Sequence, residues 1–130
     1  HPIDIDTPFE VNGPGGPIRF EPLLQKHGAI HSLGFRIGDF AYCPDVSAYP
    51  DATLDKLQGL DVLVIDALQY REHPSHLSLE QALAVIADLA PKRAYLTHMH
   101  IPLDYETVKN ETPDNVEPCH DGQVIELGAE

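Results

Sequence analysis

A chain of 130 residues is long enough for one domain with one modest core and too short for two. Hydrophobic residues make up 42% of it, which excludes a disordered chain, and no apolar run approaches the ~20 residues that a membrane span needs. Eight Lys and Arg against 21 Asp and Glu leave a net charge of −13, a balance that repels long polyanions and argues against binding extended nucleic acid.

The opening residues, His1-Pro2-Ile3-Asp4, carry neither a basic start nor an apolar block, and there is no initiating Met. The expectation is a processed or cut piece without a signal peptide. Cys43 and Cys119 are too few and too isolated for a disulfide framework or a zinc ribbon, so a reducing cytoplasm is the expected compartment. Eight His are the unusual feature, several of them beside Asp, Pro and Gly in predicted loops.

Residues 1–17 hold Pro2, Pro8, Gly13, Pro14, Gly15, Gly16 and Pro17 and read as a loop, with at most a short strand around Phe9 to Val11. Ile18 to Gln25 suits a strand that stops at His27-Gly28. Ser32 to Ile37 and Phe40 to Cys43 flank Gly38-Asp39, a two-residue hairpin signal. Leu54 to Leu57 reads as a short helical turn closed by Gly59. Asp61 to Ala67 is a continuous apolar run, the pattern of a strand buried on both faces. The clearest helix follows: Ser78 and Gln81 have capping-box spacing, and Leu79, Leu83, Ile86 and Leu89 recur at helical spacing up to Pro91. Arg93 to Thr97 is a further strand, Asp104 to Asn110 a short helix with Asp104 as N-cap, and Gln123 to Leu127 a last strand after Asp121-Gly122.

This order predicts an α/β fold with a mixed sheet and helices mainly on one face. Such a sheet leaves its other face apolar and in need of a second layer, so self-association into a homo-oligomer through that face is expected.

Four residues fall just after predicted strands: His27, Asp45, His76 and His98. Ligand sites in α/β sheets form outside the carboxyl ends of strands, so these four can converge. Imidazole and carboxylate together suit Zn, Mn or Fe. Any one of them alone reads more simply as an ordinary loop residue.

Three segments carry a resemblance. "HGAIHSLGFRIGDFAYCPDV", from His27 to Val46, resembles the metallo-β-lactamase segment in which a His-Gly and a later Asp bind metal. "LDVLVIDALQYREHPSHLSLEQAL" and "KRAYLTHMHIPLDYE" resemble the strand–loop–helix and the Leu-Thr-His strand end of the subgroup related to the carbon–phosphorus lyase phosphodiesterase. The resemblance covers His27 to about Leu127 and implies that residues 1–130 are the C-terminal half of a metallo-β-lactamase-like αββα sandwich, with 1–17 as a loop-rich leading segment.

For function, the resemblance implies a dinuclear metal-dependent hydrolase, a phosphodiesterase acting on a small phosphorylated or cyclic-phosphate substrate. Its two divalent ions, Zn or Mn, would clamp a phosphoryl oxygen for in-line displacement. Carried over by position, His27 binds the first metal, Asp45 bridges both, His98 binds the second, and His76 donates a proton to the leaving group. Tyr105 is placed to reach a phosphoryl oxygen, or else to pack in the core. His100 is at most near the site, and His1, His31, His73 and His120 have no matching role and are expected in solvated loops. Cys43 is expected to be a small buried side chain. The family's His-x-His-x-Asp-His signature is not among these residues. The implied site is therefore partial, and the chain alone is expected to be inactive. The alternatives are a non-catalytic acidic α/β interaction module, whose strand-end residues would scatter, and a thioesterase or RNA-processing nuclease of the same fold. The nuclease is disfavoured by the charge.

Overall fold

The computed structural model describes residues 7–69, 71–97, 99, 105–120 and 123–125, with the side chain of Tyr105 also outside the description. The strands lie side by side in the order in which the chain makes them. They are β1 (Phe9–Gly13), β2 (Gly16–His27), β3 (Ile30–Ile37) and β4 (Phe40–Cys43), then, after α1 (Asp51–Lys56), β5 (Val62–Asp66). Helix α2 (Leu79–Leu89) leads to β6 (Arg93–Thr97), and α3 (Tyr105–Glu111) leads to β7 (Val116–Pro118). The first four strands form an antiparallel meander. From β4 onward every pairing is parallel, each crossover carrying a helix. Strands β2, β4, β5 and β6 consequently all point the same way, and their carboxyl ends share one edge of the sheet.

The register fixes which side chains share a face. Ala41, Leu63 and Ala94 are opposed across β4, β5 and β6, as are Cys43, Ile65 and Leu96 one pleat further on. These six belong to the main core, with Leu57 beyond the end of α1, Leu79, Ala82, Ile86 and Leu89 of α2, and Val108 of α3. All the helices therefore cover one face. Helix α2 forms where its pattern predicts: the Ser78 hydroxyl accepts from Gln81 N (3.1 Å) while the Gln81 side chain accepts from Ser78 N (2.9 Å). In the first turn of α1, the Thr53 hydroxyl donates to Leu24 O at 2.6 Å, and Arg36 donates to Lys56 O and Gln58 O at the helix's far end.

The opposite face carries no helix among the described residues. Phe9 stacks on Phe20 (ring centroids 5.2 Å, planes 3° apart), and both meet Phe35 edge-on at 6.0 Å. Val62, Val64 and Tyr95 are buried there with Phe40, Cys119 and Ile125 against them. No helix among the described residues is long and apolar enough to cross a membrane.

Three expectations need correction. Residues 9–17 are not loop: β1 pairs with β2 from Phe9↔Phe20 to Gly13↔Gly16, and Pro14-Gly15 is the hairpin turn. Strand β2 is accordingly longer than Ile18 to Gln25 at both ends, and β3 begins at Ile30. No strand is formed over 123–125, with 126–127 outside the described residues; the edge position falls instead to Val116–Pro118, paired with β6. A proline is tolerated there because an edge strand leaves one set of N–H groups unused. Asp104, the expected N-cap of α3, lies outside the described residues.

Leu63, fully buried at the centre of the helix-covered face, gives the direct test of this core. Leu63→Ala should cost about 2–5 kcal/mol in urea unfolding, the range for deleting a core leucine.

Candidate metal centre

The shared sheet edge is where the chemistry collects. His27 is the last residue of β2, Asp45 lies two residues past β4, and His76 sits in the loop between β5 and α2. One donor atom from each of the three lies within 4.8 Å of the others. Two ligands of one ion, each at ~2.0–2.2 Å, stand closer than that, so small side-chain rotations would close the site.

Both histidine rings are held from behind. The His27 ring donates from Nδ1 to Ser75 O at 2.7 Å, which leaves its Nε2 lone pair for an ion. The His76 ring donates from Nδ1 to Asp66 Oδ2 at 2.5 Å, which turns its Nε2 outward in the same way. Asp66, the last residue of β5, is fully buried, and the same oxygen accepts from Val46 N at 3.1 Å. The two site rings meet edge to face, with centroids 4.8 Å apart.

The backbone is shaped for this convergence. Gly28 takes φ 63°, a conformation that favours glycine, and a Cβ there would press on Ser75 Oγ at 2.8 Å where the 73–76 loop closes over the end of β2. Asp45 itself has φ 50°, a left-handed conformation uncommon for a non-glycine residue. The loop after β5 is clasped by Leu68 N to Leu77 O, Leu77 N to Val46 O and Leu79 N to Gln69 O, all between 2.8 and 3.0 Å.

The structure thus brings together His27, Asp45 and His76. His98, next after β6, lies outside the described residues, as do His1 and His100; Tyr105 begins α3, but its side chain is likewise undescribed. Among the others, His120 is exposed, while His31 stands in β3 rather than in a loop. His73 is half-buried: its Nδ1 accepts from Ser75 N at 3.1 Å and its ring lies 5.4 Å from that of His76. Asp66 was not singled out by its sequence, where an Asp closing an apolar run reads as a strand terminator; its position at a strand end beside a later His is the signal that marks it. Cys43 is fully buried, and burial pushes its thiol up to about 12 against a smaller opposing effect of the Tyr49 hydroxyl. It packs as a small side chain in the main core, as its sequence suggested.

Residues 1–99 match the family described as the beta-lactamase superfamily domain. An octanoyltransferase of Porphyromonas gingivalis is 32% identical over 123 residues, 92% of this chain but 24% of that protein. Among solved structures, a diphosphatase of the PhnP family is 32% identical with a TM-score of 0.88, covering 95% of this chain and 46% of that one. The short form of human tRNase Z, at 22% identity and a TM-score of 0.64, shares the fold over 87% of this chain and 42% of its own. The chain spans about a quarter of the octanoyltransferase and just under half of the diphosphatase.

Because Cys43 is sealed and its thiol stays protonated, iodoacetamide at pH 8 should leave it unlabelled in the native protein and label it in denaturant. Peptide mass spectrometry reads the outcome, and fast native labelling of Cys43 would contradict this packing.

Proposed function

Because the chain belongs to the beta-lactamase superfamily domain family, we propose that its full-length protein is a divalent-metal-dependent hydrolase of a small phosphodiester or cyclic phosphate. His27, Asp45 and His98 are the metal ligands in this reading, with Asp45 shared between two ions, Zn or Mn. His76 is the proton donor to the leaving group. The nitrogen and carboxylate donors suit these ions, and the diphosphatase at 32% identity supports phosphorus–oxygen cleavage as the class of reaction. Bound divalent ions would lower the pKa of water and neutralise charge on a phosphoryl oxygen.

The observation that carries the reading is the Asp66–His76 hydrogen bond beside the His27 and Asp45 donors. A metal ligand and a general acid make different demands on a histidine. A ligand needs an unprotonated Nε2, whereas an acid needs Nε2–H directed at the leaving oxygen and a partner that stabilises the imidazolium. Asp66, buried and bonded to Nδ1, meets the second demand: it fixes the ring's orientation and balances the charge that the ring carries before it gives up its proton. His76 keeps 18% of its side-chain surface exposed, which leaves Nε2 reachable by a substrate. His73, its ring 5.4 Å from that of His76, adds polar character to the same wall of the site.

His76→Ala in the full-length enzyme should lower kcat by about 10²–10⁴-fold, the usual worth of a general acid, while zinc or manganese content stays intact. The loss should shrink for nitrophenyl esters, whose leaving groups need little protonation. Asp66→Asn should reproduce part of the defect on poor leaving groups. An emptied metal site in His76→Ala, with good and poor leaving groups hurt alike, would instead make His76 a further ligand, the role its closeness to His27 and Asp45 also allows.

A further inference from the structure

Gln25 is fully buried on β2, two residues before His27 and on the same face of the strand. Nothing in the proposed chemistry uses it. A buried amide is costly unless it is hydrogen-bonded, so its partners say what it is for. Its Nε2 donates to Pro44 O at 2.8 Å and to Ser32 Oγ at 3.1 Å, and Ser32 Oγ in turn donates to Asp45 O at 2.7 Å. Both carbonyls belong to the two residues that follow β4, where the strand has ended and its pairing partners have run out.

We propose that Gln25 is a positioning residue for Asp45, acting with Ser32 across the intervening strand β3. Strands β2 and β4 are not neighbours, so nothing in the sheet ladder itself relates His27 to Asp45. The chain beyond Asp45 does return to β2, through Ser47 N to Lys26 O and Lys26 N to Ala48 O, but this fixes residues 47 and 48. The carbonyls of Pro44 and Asp45 are fixed by Gln25 and Ser32, which are register partners in β2 and β3.

The crossing is possible because β3 has a gap at Gly34. A Cβ on Gly34 would stand 2.5 Å from Gln25 Oε1 and 2.8 Å from Tyr42 O, distances that real Cβ atoms do not show. The amide has one workable orientation, since the flipped form would set Oε1 against the Pro44 carbonyl. The clamp acts at the residue with φ 50°, a conformation that an L-residue leaves unless its surroundings hold it. Gripping the carbonyls of the two peptides on either side of the Asp45 Cα orients that residue's Cα–Cβ bond, and with it the carboxylate that meets His27 and His76. One side chain on the strand of the first ligand therefore sets the second.

The inference rests on reading Asp45 as a metal ligand, and the test separates the two. Zinc affinity is measured in the full-length protein against a competing chelator for wild type, Ser32→Ala and Gln25→Met. The backbone coupling of Asp45 is read by NMR in the metal-free proteins. The expected result is a 10–100-fold loss of zinc affinity in both variants, the range for groups that orient a ligand from behind, with Asp45 leaving the left-handed region. Ser32 is half-buried, so Ser32→Ala keeps the fold and carries the test if Gln25→Met does not fold. Zinc binding unchanged in the variants, or weakened with Asp45 still left-handed, overturns the clamp alone. A wild-type protein that takes up no zinc overturns the metal reading, and the clamp with it.

Discussion

The carboxylate of Asp66 holds the site-bearing segments in register with one another. It closes β5 at the centre of the sheet, fully buried, and one of its oxygens takes both the Val46 amide and the His76 ring. Those two partners come from different loops, one following β4 and the other preceding α2. A buried carboxylate is tolerated only while it is hydrogen-bonded, and bonds to a charged acceptor are worth about 1.5–3 kcal/mol each. The loops are thus fixed to the sheet by the cost of leaving Asp66 unsatisfied. The backbone bond from Leu77 N to Val46 O then ties them to each other. His76 arrives at its place because the loop closes, and the loop closes onto Gly28, the one residue there with no side chain in the way.

Much of this could be read from the chain, and the omissions have a common cause. The run from Asp61 to Ala67 and the capped helix after Ser78 are local patterns, and both form where local pattern puts them. That His27, Asp45 and His76 lie at one edge of the sheet follows from strand direction, because a meander followed by parallel crossovers leaves β2, β4 and β5 pointing the same way. The hairpin of β1 and β2 escapes a local reading. Its turn is written in Pro and Gly, and what holds its arms is the contact of Phe9 and Phe20 with Phe35, a residue two strands along. Strand β7 escapes for a similar reason: three residues ending in Pro118 acquire strand geometry only by lying beside β6.

The polar residues behind the site leave no local mark in the sequence, for a physical reason. Gln25 and Asp66 stand in strands among apolar neighbours, where a lone Gln reads as a solvent-facing position and a final Asp as a turn. Their burial is a property of what the rest of the fold brings to them. A ligand can be suspected from its chemical type, but a group that only holds a ligand has no type of its own. It is recognised from a buried donor whose partners lead to the ligand, as Gln25 leads through Ser32 to the carbonyl of Asp45.

The strain at Asp45 fits the same logic. A left-handed aspartate costs the fold about 1–2 kcal/mol relative to an ordinary strand conformation, a sizeable share of a small domain's margin. A glycine at that position would relieve the strain and lose the carboxylate. An aspartate in the β region would keep the carboxylate and send it along the strand, away from the two rings. The sheet edge resolves the conflict by placing the compensating bonds on neighbours that are already rigid: β2 through Gln25, and β3 through Ser32. Flexibility at this edge would let the carboxylate fall back to the lower-energy geometry, so the polar cluster under Asp45 has to be as well packed as the apolar core beside it. Gly34, with no room for even one more carbon, shows that it is.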